Sequence, residues 1–135
     1  MTTRLTLFLV GCLALPLAQS KEPVEVPDFT AGEHPPKEAK HDWNLGPTGL
    51  RGWMYSHKME TRLARQIYVT KVADGSPANG IIEAGDVILG VGSEEFSSDP
   101  RRAFGRAIGA AEASDGVLSL LRWRNGESET VKLKL

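Results

Sequence analysis

The last seven residues set the pattern for reading the whole chain. Val131, Leu133 and Leu135 alternate with Lys132 and Lys134, which predicts a strand with one buried and one wet face. Asn125-Gly126 precedes it, the strongest short hairpin signal. It joins a strand over Val117–Arg124 to one over Glu129–Leu135. Two further apolar runs, Ile67–Val72 and Asp86–Val91, are rich in β-branched residues and stop at glycine-containing turns. Trp53-Met54-Tyr55 reads as another strand. Helical spacing governs Phe104, Ala107, Ile108 and Ala111, with Asp99 as N-cap and Pro100 at the first position, so a helix is predicted from Pro100 to Ala113. Ser76-Pro77-Ala78-Asn79-Gly80 predicts one further helical turn, with Ser76 capping and Gly80 stopping it. The sum is a small α+β domain of about five strands, one short helix and one full helix.

Two segments precede that body. The first, residues 1–20, places Arg4 before an apolar run from Leu5 to Leu17 and closes on Ala18-Gln19-Ser20. This is the layout of a signal peptide cleaved after Ser20, which predicts a secreted or periplasmic protein with no membrane insertion after cleavage. The alternative is a lipoprotein: Leu9-Val10-Gly11-Cys12 resembles a lipobox, with a lipid anchor at Cys12. Residues 21–41 hold Pro23, Pro27, Pro35 and Pro36 among Lys and Glu, which predicts an extended, solvated linker. Residues 42–135 form the folded domain.

Charge and chemistry mostly exclude. A net charge of −1 gives no electrostatic case for nucleic acid. Cys12 is the sole cysteine, so no disulfide is available within the chain. His34 and His41 lie on the linker, where a metal site lacks fixed geometry. His57 alone falls within the folded part, and Glu94-Glu95 reads as a solvated turn. No nucleophile elbow or zinc motif occurs. The expectation is a chain without catalytic residues, metal or cofactor.

One stretch remains, Asn44-Leu45-Gly46-Pro47-Thr48-Gly49-Leu50-Arg51-Gly52-Trp53-Met54. It lacks the lysine of a phosphate loop. Pro47 spoils its fit to the Gly-x-x-Gly clamp of nucleic-acid-binding KH modules. Three glycine triplets are too few for a collagen-like helix. A glycine-rich turn entering a strand has another use: its N–H groups form an anion nest, while the strand's free edge pairs with an extended peptide.

Val69-Thr70-Lys71-Val72-Ala73-Asp74-Gly75-Ser76-Pro77-Ala78-Asn79-Gly80, followed by Gly85-Asp86-Val87-Ile88-Leu89-Gly90-Val91, resembles the signature of PDZ domains, in the form found in exported bacterial proteins. The resemblance implies a mainly β, partly closed barrel of five or six short strands capped by two helices. It implies a monomeric, non-catalytic module that binds protein C-termini or extended peptides by strand addition. Leu45, Gly46, Pro47, Thr48 and Gly49 match the carboxylate-binding loop, and Leu50, Arg51, Gly52, Trp53 and Met54 the edge strand. Arg101, Phe104, Ala107, Ile108 and Ala111 match the helix forming the groove's other wall. Pro47 cannot donate a hydrogen bond, which shrinks or shifts the nest. Gly92-Ser93 replaces the usual Asn-Gly. Arg101 or Arg102 stands where many eukaryotic members carry a histidine, which favours an acidic residue near the ligand's end. Two other roles fit the resemblance: a regulatory or adaptor partner of an envelope protease, and a structural domain with a closed groove.

Overall fold

The computed structural model describes residues 25–135, with Gly11 alone before them. The leader, the cleavage point and Cys12 lie outside the described residues. Seven antiparallel strands form one sheet: β1 (Trp43–Asn44), β2 (Leu50–Trp53), β3 (Ile67–Val72), β4 (Val87–Val91), β5 (Glu94–Glu95), β6 (Val117–Arg124) and β7 (Glu127–Lys134). The path runs β1-β2-β3-β4-β6-β7, with β5 paired to β4. The strand count exceeds the expected five or six because two of the strands hold only two residues. Glu94-Glu95 is one of these; both residues are exposed, but they pair with Val91 and Gly90.

Strand β4 is apolar throughout because both its faces are covered. Ile88 joins the core beneath the helix α1 (Pro100–Glu112), together with Leu50, Ile67, Val69, Phe104, Leu118, Leu120 and Leu133. Val87 and Leu89 face the other side, where Trp53, Tyr68, Leu121 and Trp123 gather. A strand buried on both faces reads as a continuous apolar run, as this one does. At the β6–β7 turn Asn125 (φ 49°) and Gly126 (φ 84°) both take left-handed conformations. That is the geometry a two-residue hairpin requires.

Two expectations are corrected. Only one α-helix occurs among the described residues. Ser76–Gly80 forms a run of turns: Asn79 N–H donates to Ser76 O (3.0 Å) and Ile81 N–H to Ala78 O (3.0 Å), both spanning three residues. Gly75 (φ 70°) and Gly80 (φ 80°) bracket the segment, leaving too few residues for a helical turn to propagate. The Ser76 hydroxyl does not cap; it donates backwards to Ala73 O at 2.7 Å.

The stretch read as a solvated linker is partly docked. Phe29–Ala31 form a 3-10 turn capped by Asp28, whose carboxylate accepts from Thr30 and Gln66. The Phe29 side chain is buried edge-on against Trp53 (5.8 Å between centroids) and Tyr68 (5.3 Å). The prolines and charges around it outweighed one aromatic in the compositional reading. A single ring of this size is enough to fasten a polar segment to an apolar sheet face.

Candidate functional site

The site anticipated from sequence lies where β1, its loop and β2 meet α1. Leu45–Gly49 close a tight connection: Leu45 N–H donates to Leu50 O at 2.9 Å, and Gly46–Thr48 form a 3-10 turn. Thr48 is fully buried and works twice, its hydroxyl donating to Leu45 O (3.0 Å) and accepting from Leu50 N–H (3.1 Å). Gly46 N–H donates to Asn44 Oδ1 (2.9 Å) and Gly49 N–H to Gly46 O (3.3 Å). With Pro47 lacking a donor, at most the Thr48 N–H is left to meet an outside anion.

The glycines serve a close approach, and what they approach is this same chain. Gly49 has φ 81°, and a Cβ there would lie 2.1 Å from Ser76 Cβ. The loop is stitched to the Ser76 turn by Ala73 N–H to Gly49 O (2.9 Å) and Ala78 N–H to Thr48 O (3.1 Å). Gly46 sits against α1, where an added Cβ would touch Ile108 Cδ1 at 3.4 Å.

The free edge expected on β2 is taken. On one side β2 pairs with β3; on the other Trp43 pairs with Gly52 and Asn44 with Arg51. Leu45 is buried (4% exposed), and Trp43 packs against the same core as Ala103, Ala107 and Ile108. The Arg101 guanidinium lies 5.7 Å from the Trp43 ring centroid, within cation–π range. His41 meets the Trp43 ring edge-on at 4.9 Å. Residues 43 and 45 thus send alternate side chains between β2 and α1, as an added strand would.

Asp42 fastens this segment. Its carboxylate accepts from Arg51 Nε (2.9 Å) and from the Thr70 hydroxyl (2.7 Å), tying β1 to both β2 and β3. The hydrogen bond from Arg51, helped by that from Thr70, holds the Asp42 carboxyl below the usual aspartate range.

The anticipated residues divide accordingly. Leu45, Gly46, Pro47, Thr48, Gly49, Leu50, Arg51, Gly52, Arg101, Phe104 and Ile108 gather around one place. Leu50 and Phe104, expected to line a ligand pocket, are at most 1% exposed and belong to the core. Trp53 does not join them; it packs with Phe29, Val87 and Leu89 on the opposite face. A register shift between Arg51 and Gly52 accompanies that turn of the strand. Asp42 and Trp43 were missed. The apolar alternation of Trp43 and Leu45 ahead of the glycines was their available signal.

The PDZ family model matches residues 40–102. This part of the chain belongs to the PDZ domain family. Domains of the PDZ family are protein-interaction modules and in general are not catalysts. No curated protein matches the chain. The PDZ match spans β1 through the first turn of α1, and so includes the loop, the filled edge and Arg101. Phe29 and its 3-10 turn lie ahead of it. Among the described residues no cluster of three His, Cys, Asp or Glu is placed to hold a metal ion, and no helix is long and apolar enough to cross a membrane.

Proposed function

We propose that this PDZ domain is a protein-interaction module with a closed groove, which docks its partner by a face other than the β2 edge. The pairing of Trp43 with Gly52 and of Asn44 with Arg51 carries this reading, since a foreign strand needs the backbone groups that β1 uses. A peptide C-terminus would also have to lift Leu45 from its pocket, which costs ~1.5–3 kcal/mol. That lowers affinity by roughly tenfold to a hundredfold at about 1.4 kcal/mol per decade. The test is an NMR titration of the full chain with a library of free C-terminal peptides. The amides of Leu45–Trp53 should stay unmoved; saturable shifts there would sink the closed-groove reading.

A second reading has its own support. β1 is only two residues long and its ion pair to Arg51 is partly exposed, so a ligand of sufficient affinity displaces it. Leu45–Trp53 and Arg101, Phe104 and Ile108 then receive a peptide C-terminus or extended segment. Under this reading Asp42→Ala strengthens peptide binding; under the first it leaves it absent. The leader-like residues 1–20 support export, with a free or lipidated mature end. The mass of the mature N-terminus tests both.

A further inference from the structure

Beside the closed groove lies a cleft of about 590 Å³ between the loop that follows β2 and the N-terminal half of α1. Five arginines line it: Arg62, Arg65, Arg101, Arg102 and Arg106. Their setting is unfavourable to the chain itself. Arg101 and Arg102 occupy the first turn of α1, which carries no acidic residue, at the positive end of the helix dipole. Arg102 and Arg106 stand four apart on one helix face, a like-charge spacing that destabilises a helix. The cleft's two acids are already engaged. Glu60 pairs with Arg62 at 3.3 Å. Asp99 caps Arg101 N–H (3.0 Å) and accepts from the Thr61 hydroxyl (2.8 Å), which ties the loop to the helix and fixes the cleft's two walls.

We infer that this cleft is the docking site for an acidic segment of a partner protein. Departures from local helix rules are expected where function demands them. Five guanidiniums in a concavity, backed by a helix N-terminus, concentrate positive potential on a chain whose overall charge is −1. Carboxylates suit them, since guanidinium forks bind carboxylate bidentately. A protein segment fits better than the other polyanions. Duplex DNA calls for an extended basic face, and a membrane for a flat one, while this site is a recess. The inference rests on the closed-groove reading, because it names the face by which such a domain docks.

The test uses the full chain and a fluorescein-labelled peptide of alternating Asp and Glu, amidated at its C-terminus so that no terminal carboxylate addresses the groove. Fluorescence anisotropy should report saturable binding that weakens as salt rises. The same peptide built of Asn and Gln should not bind. Arg102→Glu with Arg106→Glu should reduce affinity at least tenfold while the melting temperature stays equal or rises, because both side chains are exposed and mutually repelled. No binding, or binding indifferent to the double charge reversal, would overturn the inference. Tighter binding to phosphatidylglycerol vesicles or duplex DNA than to the peptide would overturn it too. Amide shifts separate the two readings: at Thr61 and Arg102–Arg106 they support the cleft, whereas at Leu45–Trp53 they refute the closed groove.

Discussion

Asp42–Arg51 and Asp86–Arg124 are chemically the same pair, placed in different surroundings. The Asp86 side chain is 4% exposed and its Arg124 partner 31%; for Asp42 and Arg51 the figures are 28% and 42%. Arg124 grips both carboxylate oxygens of Asp86, at 2.8 and 2.7 Å, and Glu83 N–H adds a third bond at 2.8 Å. This arrangement anchors the turn before β4 to β6, and the hydrogen bonding to Asp86 pushes the Arg124 pKa up. The Asp42 pair instead holds a two-residue strand over a groove. Burial decides which pair the fold depends on, and solvent screening leaves the other weak enough to act locally.

Breaking the pairs separately should expose that difference. Asp86→Ala leaves Arg124 without its principal partner and the Glu83 N–H without an acceptor; it should cost about 3 kcal/mol or more by urea denaturation. Gly49→Ala comes next, because its Cβ meets Ser76 and its φ of 81° penalises any side chain. A loss of about 2–3 kcal/mol is expected from strain and overpacking. Asp42→Asn should cost under about 1 kcal/mol globally, yet speed amide exchange in β1 selectively. The smallest effect is in pH. Asp42's carboxyl titrates lower folded than unfolded, so its contribution is present above about pH 4 and fades as pH falls through the folded value. Asp28, held low chiefly by the Thr30 hydroxyl and then by Gln66, loses its contribution in the same direction. The stability difference between wild type and Asp42→Asn isolates Asp42 and should shrink toward zero in acid.

The long elements were legible because local pattern and tertiary role agree in them. Lys132 and Lys134 face water as the alternation required, and Asn125-Gly126 forms its hairpin. α1 starts at Pro100 as its cap predicted. What sequence reading missed is set by contacts across the fold. A two-residue strand such as β1 has no periodicity to detect, and its place depends on Arg51, Thr70 and Arg101. Phe29 was one aromatic in a proline-rich stretch, and only the half-buried Trp53 and Tyr68 of the sheet explain why it docks. The glycine loop was read as an anion nest at the mouth of a peptide groove, whereas what Gly49 approaches is Ser76 of the same chain. The arginines were visible in sequence, while the cleft that gathers Arg62 and Arg65 with Arg101, Arg102 and Arg106 required the loop after β2 to fold back on α1.

The central claim is that β1 occupies the β2 edge, and the Leu45 amide reports on it directly. Its N–H donates to Leu50 O at 2.9 Å, so hydrogen exchange at Leu45 should be strongly slowed, in step with the amides of β2 and β3. Exchange at the rate of an unstructured loop, while β3 remains protected, would show the edge open and contradict the account.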